Sequence, residues 1–431
     1  MSIRYATSEL LLREALELFP TGTQTMMKSA VSFPAGVSPL FVRRAQGSRL
    51  WDVDGNEYID FVGALGSITL GYNDPDVAAA VREALETGAG PLFSLSHPLE
   101  LEVARLLREM IPCGEMIRFG KNGSDMTSTA IRLARAVTGR DHIAMCGYHG
   151  WHDWSVAPTP QNVGVPKAVQ ALSHTFNYND PDSLELIFQQ YKDQVAAVIL
   201  EPMRVVPPQN GFLGVIRRLC TQHGAVLIFD EIVTGFRLAN GGAQEQFGVI
   251  PDLAVFAKGM ANGFPLSALA GRQEFMQQLT KIHASLTYGG ETLSLAAAKV
   301  VLEKYRREPV IAVIKSRGKR LLHGITQLVR LSGLDEIFVV GGDPALPFML
   351  PRDGLGSGEP EIRTWFLQEM FERGFLVLGA HALSYVHTEN DVDRLLAAYA
   401  EVLPKLAAAI RDKTLPALLK AIPPHYSTKW R

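Results

Sequence analysis

The 431-residue chain is poor in cysteine, holding only Cys113, Cys146 and Cys220. Their spacing fits neither a zinc-ligand pair nor a disulfide framework, so buried or half-buried thiols in a reducing compartment are expected. The chain also lacks any apolar run near the roughly 20 residues that a membrane-spanning helix needs. Its opening, MSIRYATSELLLREALELFP, spaces apolar residues at helical intervals among Glu and Arg, unlike the unbroken core of a signal peptide. A cytoplasmic location without membrane association is the expectation. Excess charge of one sign is missing too: 42 Lys and Arg stand against 44 Asp and Glu, a formal net charge of −2. No global field then favours nucleic acid, which is not expected as a partner. Internal repeats, low-complexity tracts and obvious linkers are likewise absent.

What is present is an ordinary globular composition in a chain too long for one core of roughly 100–200 residues. The stretch FVRRAQGSRLWDVDGNEYIDF from Phe41 alternates apolar and polar residues around Asp54-Gly55, the signature of a hairpin. Between about residues 90 and 310 the pattern changes, and short apolar runs alternate with helical segments. The runs are IRFG, HIAMCG, VAAVILEP, AVLIFDE, LAVFAK and SALAGR. Such alternation predicts an α/β domain with a mainly parallel sheet covered on both faces. Three segments are expected: 1–80, a helix and hairpin belonging to a small domain; 81–314, the large α/β domain; and 315–431, a C-terminal α+β portion.

In sheets of this kind ligands bind at the carboxyl ends of strands, where the reactive residue types fall. AVLIFDE ends in Asp230 and Glu231, and strand alternation lets only one of them face a given site. An Asp there serves as a helix cap, a salt-bridge residue or the partner of a protonated ring nitrogen. DLAVFA runs into Lys258, an unusual strand-end residue unless it is paired or chemically used, followed by Gly259 and Gly263. GKNGSDMTSTAIRLARAVTGR opens a helix at Gly123, Ser124 and Asp125, which reads as a plain cap or as an anion site suited to phosphate. CGYHGWHDW places Tyr148 and His149 after another strand, where an aromatic can stack on a planar ligand. His149, His152 and Asp153 raise a metal possibility, but no further Cys or carboxylate completes a ligand spacing, so no metal is expected. SLTYGGET (285–292) by itself is an ordinary glycine-rich loop.

Taken together, in this order and spacing, these motifs resemble the class III (omega-type) aminotransferases, and within them the glutamate-1-semialdehyde 2,1-aminomutase branch. The resemblance covers nearly the whole chain: WDVDGNEYIDF, GSDM with RLARAVTGR, YHG, Glu201-Pro202, FDEIVTGFR, AKGMANGFP and SYVHTENDVDRLL. It implies the fold type I of pyridoxal-phosphate-dependent transferases: a large α/β domain plus a smaller α+β domain built from the N- and C-terminal segments. It implies pyridoxal 5'-phosphate as cofactor, Lys258 as its Schiff-base lysine and Asp230 as partner of the pyridine nitrogen. Ile232 and Tyr148 would take the two ring faces, and Gly123 and Ser124 the phosphate. Thr287 would reach the phosphate of a second subunit, which implies a homodimer with shared sites. Glu201 matches a strand-end Glu-Pro without an assigned task.

The departures concern substrate. Where the aminomutase has N-S-P-x-R, this chain has Gln24-Thr25-Met26-Met27-Lys28, and near its C-terminus Gly379 and His381 replace the expected glutamate region. Glu291-Thr292 stands where Asn-Pro is usual. Gln24, Thr25, Lys28, His381 and Glu201 are the expected substrate contacts. The expected activity is amino transfer from a small-molecule donor to a ketone or aldehyde, with a keto-sugar among the candidates. The aminomutase reaction, decarboxylation or racemisation, and a non-enzymatic cofactor-binding role are the alternatives.

Overall fold

In the computed structural model, which describes residues 3–424, each apolar run between residues 116 and 271 becomes a strand. The first three strands of the chain are β1 (Val42–Gln46), β2 (Arg49–Asp52) and β3 (Glu57–Asp60). Seven follow: β4 (Met116–Gly120), β5 (His142–Cys146), β6 (Ser173–Thr175), β7 (Val195–Leu200), β8 (Val226–Asp230), β9 (Leu253–Phe256) and β10 (Ser267–Gly271). The last three are β11 (Phe338–Asp343), β12 (Leu346–Pro351) and β13 (Phe375–Leu376).

Two compact units share these elements. Among the described residues, the sheet unit comprises Gly66–Ile68 and Pro75–Ile311; the flanking unit comprises 3–65, Thr69–Asp74 and 312–424. The divisions fall at 74/75 and 311/312, a few residues before the expected 80/81 and 314/315. Helix Pro75–Glu86 accounts for the first shift, since it packs on helix Thr292–Arg307, where Lys304 pairs with Asp76 at 3.0 Å.

The seven-stranded sheet runs β4-β10-β9-β8-β7-β5-β6. Strands β6, β5, β7, β8 and β9 are parallel; β10 is antiparallel to both β9 and β4. The carboxyl ends of β4, β5, β7, β8 and β9 therefore share one edge. Every residue of β7 through β10 is buried, the reason these strands read as unbroken apolar runs. Helix Gly123–Thr138 lies over this sheet, with Met126, Ala130, Leu133 and Ala134 in one core cluster with Ile199, Ile228, Val255 and Leu269. Each of the larger side chains contributes roughly 1.5–3 kcal/mol, and that packing fixes where the helix begins. From β5 the chain steps outward to β6, then returns through β7 and proceeds the other way. The order reverses between β5 and β7, the place where open α/β sheets bind ligands.

The flanking unit carries a sheet β1-β2-β3-β13, in which β2 and β3 pair antiparallel across Asp54-Gly55, and the hairpin β11-β12. Gly55 takes φ +89°, the conformation that the turn demands. Helix Glu359–Glu372 and the long helix Glu389–Arg411 complete it. The three cysteines are buried and free. Among the described residues no helix is long and apolar enough to cross a membrane. Of the tail Leu415–Arg431, the part beyond residue 424 lies outside the described residues.

Candidate active site

Adjacent carboxylates at the end of β8 go separate ways, as strand alternation requires. Glu231 is fully buried and accepts hydrogen bonds from Thr234 Oγ1, Ala243 N (2.8 Å) and Gln244 N (3.0 Å). It ties down the start of the short helix Ala243–Phe247, and desolvation pushes its carboxyl up to about 6. Asp230 faces the other way, 4% exposed. Its Oδ1 accepts from Ile232 N at 3.2 Å and its Oδ2 from His149 Nδ1 at 2.8 Å.

Lys258 follows β9 and opens a 3₁₀ turn, Lys258–Ala261. Its φ of +44° lies in the left-handed region that a β-carbon disfavours, and strain of this kind gathers at functional sites. Desolvation holds its amine below the ordinary lysine value. Asp230 and then Glu201 act to raise it, while Arg237 adds to the lowering. Arg237 is itself 1% exposed and donates to Gly66 O at 3.1 Å.

The segment after β5 is fitted closely around Glu201 and Ser124. Tyr148 N donates to Glu201 Oε2 at 3.2 Å, and a β-carbon on Gly147 would stand 2.3 Å from that same oxygen. A β-carbon on Gly150 would stand 2.2 Å from Ser124 Oγ, and one on Gly123 2.4 Å from Ile232 Cδ1. Burial and the nearby Asp230 push the Glu201 carboxyl up, against the opposing influence of His149 and Arg204. The three metal candidates, His149, His152 and Asp153, go separate ways. His149 serves Asp230, while His152 Nδ1 meets Ser128 Oγ at 2.5 Å, and Asp153 begins a short helix. Sequence places His149 beside Tyr148 at a strand end and among the metal candidates, but does not pair it with Asp230. Trp154 stacks on its ring, and Thr127 Oγ1 donates to its carbonyl at 2.8 Å, so the imidazole is held for Asp230.

Gly123 and Ser124 form the first residues of a 16-residue helix capped by Asn122 and Asp125, the helix start at which the sequence also allows an anion site. Thr287 lies exposed in a turn of the sheet unit. Glu291, in place of the usual Asn, caps helix Thr292–Arg307 through Leu293 N at 2.7 Å and pairs with Lys121 at 2.8 Å. Gln24, Thr25 and Lys28 belong to the flanking unit, on the turn Met26–Lys28 and just before it, with Gln24 and Lys28 exposed. His381 corrects an expectation. It is 1% exposed in the flanking unit, with Nδ1 at 3.2 Å from Pro347 O and Nε2 at 2.6 Å from Tyr399 OH. Burial pushes its pKa down to about 4. Both ring nitrogens are used and no edge is left for a substrate, so it is a core residue. Sequence showed a polar side chain after a strand, but not that packing would cover it.

Residues 32–381 match the family model described as aminotransferase class-III. The chain is 35% identical to the 3-aminobutyryl-CoA aminotransferase of Cloacimonas acidaminovorans (strain Evry), over 94% of this chain and 98% of that one. It is 34% identical to the glutamate-1-semialdehyde 2,1-aminomutase of Desulforapulum autotrophicum, over 93% and 99%. Among solved structures, the FumI protein of Sphingopyxis sp. MTA144 in a PLP form superposes with a TM-score of 0.85 at 28% identity, covering 95% of this chain and 99% of that one. The residues present suit pyridoxal phosphate, the cofactor of this class. His149 Nε2 is buried without a partner, and amine, carboxylate and helix start all lie at one sheet edge. A match spanning most of the chain, relatives aligned almost end to end and a site that suits the cofactor agree: the chain belongs to the class-III aminotransferases, which are pyridoxal-phosphate enzymes.

Proposed function

We propose that this enzyme transfers an amino group from an amine donor to a ketone or aldehyde acceptor, with Lys258 as the cofactor lysine and Asp230 as the partner of its ring nitrogen. The observation that carries this reading is a desolvated, strained Lys258 at the same sheet edge as an oriented, buried Asp230. When bound, pyridoxal phosphate supplies an aldehyde that condenses with amines and a protonated ring that withdraws electrons from the substrate Cα.

The chain's own residues do the rest. A lowered pKa favours the uncharged Lys258 amine, the form that attacks a carbonyl and, once released, carries the proton from substrate Cα. Asp230 supplies the negative charge opposite a protonated nitrogen, and His149 orients it. Gly123 and Ser124 offer unpaired N–H groups at a helix start to the phosphate. Ile232 and Tyr148 are the apolar and aromatic groups for the two ring faces. Thr287, exposed on its turn, is assigned to the phosphate of a second copy in a homodimer.

The likeness to aminomutases favours a second reading, isomerisation of glutamate-1-semialdehyde without an external donor. Against it stands Gln24-Thr25-Met26-Met27-Lys28, which lacks the arginine fork that suits a carboxylate. The test offers the holoenzyme single amino donors and follows loss of the cofactor's visible band. Bleaching by at least one donor, restored by a carbonyl acceptor, is expected. Absence of bleaching by every donor, or formation of 5-aminolevulinate from glutamate-1-semialdehyde alone, overturns the reading.

A further inference from the structure

Arg204 stands just beyond the carboxyl end of β7, at the point where the sheet order reverses, and the mechanism above gives it no task. Its Nε lies 3.7 Å from Glu201 Oε2, longer than a hydrogen bond. Glu201 is the one carboxylate within ion-pair distance of it among the described residues. The guanidinium sits 6.0 Å from the centre of the Tyr178 ring, and Tyr178 is fixed by its own hydroxyl, which donates to Pro202 O at 2.9 Å. The Cys146 thiol, a weak acceptor, is its other polar neighbour. Arg204 is 29% exposed and Glu201 26%. An arginine thus steadied, part open to solvent and without a close oxygen acceptor among the described residues, keeps its planar fork of donors available.

Glu201 links this arginine to the reacting centre. It accepts from the backbone of Tyr148, and its charge acts on the Lys258 amine. We propose that Arg204 binds the carboxylate of an amino-acid donor, replacing its loose contact with Glu201 by a bidentate pair. The fork geometry matches a carboxylate and gives an uncharged amine nothing to meet. Substrate selection by charge then resides in the sheet unit itself. This inference rests on the amino-transfer reading of the Lys258 site and adds to it the class of donor.

The test compares two probes that carry the same aminooxy group, aminooxyacetate with a carboxylate and O-methylhydroxylamine without one. Each is mixed with holoenzyme, and the rate at which the visible cofactor band disappears is measured against probe concentration. The readout is the ratio of the two second-order rate constants. Arg204→Gln is expected to lower that ratio about ten- to hundredfold, the loss of one charged hydrogen-bonding pair, and Arg204→Lys to lower it less. An unchanged ratio in both variants, with the band intact before mixing, overturns the proposal. Wild-type enzyme whose band responds to neither probe overturns the amino-transfer reading, and this inference with it.

Discussion

The sheet unit and the flanking unit both bury polar side chains, but they combine them differently. In the flanking unit several such groups close on one another. Tyr58 OH donates to Asp52 at 3.1 Å, Tyr72 OH to Asp60 at 2.6 Å, and His381 meets Tyr399. These pairs satisfy burial and leave no valence for a ligand. At the carboxyl edge of the wound sheet the groups are instead left part-finished: His149 Nε2 has no partner, and Lys258 is desolvated in a strained conformation. His387 Nε2 in the flanking unit is also buried without a partner, so an unfinished hydrogen bond does not by itself mark a site. At the sheet edge it coincides with a desolvated lysine in a strained conformation, and that combination separates the two places.

The largest effect that tests this contrast is in the sheet unit. Lys258→Ala is expected to lower kcat by roughly 10⁴-fold or more, the upper end of what a positioned proton carrier contributes, with the circular dichroism spectrum unchanged. Normal turnover would place the chemistry elsewhere. Asp230→Asn, which keeps the shape but removes the charge, is expected to cost about 10²–10³ in kcat with a smaller change in KM. A loss confined to KM would make Asp230 a binding residue only.

The flanking unit predicts a stability effect in place of a catalytic one. Burial lowers both His381 and His387 to about 4 from the ordinary 6.5. Between those values the unfolded chain takes up protons that the folded chain refuses, so stability falls as pH drops from about 6.5 to about 4. Each histidine accounts for roughly 3 kcal/mol at most. Urea midpoints at several pH values should show this loss, and His381→Gln should flatten its own share of the slope. An unchanged slope in that variant would mean that His381 titrates freely.

Much of this was legible from residues alone, and the reasons are particular. The strands β7 to β10 were readable because strands covered on both faces must be continuously apolar. Asp230 and Glu231 could be expected to part company because successive side chains leave a strand on opposite faces. Which of them turned to the site was decided by Ala243 and Gln244, whose backbone N–H groups claim Glu231 from a dozen residues away. His149 and His381 show the limit more sharply. Each follows a strand and each is buried, yet one supports Asp230 and the other is sealed between Pro347 and Tyr399.

Local chemistry determined the periodicity, the turn at Asp54-Gly55, the helix start at Gly123 and the two strand ends that carry Asp230 and Lys258. These are properties of neighbouring residues, so a single chain segment suffices to express them. Tertiary structure alone decided that Glu201 would hold Tyr148 and stand near Arg204, that His149 would serve Asp230, and that His381 would be closed off. Those outcomes depend on strand order and on what packs across from each residue, and partners so distant along the chain meet only once the sheet has assembled.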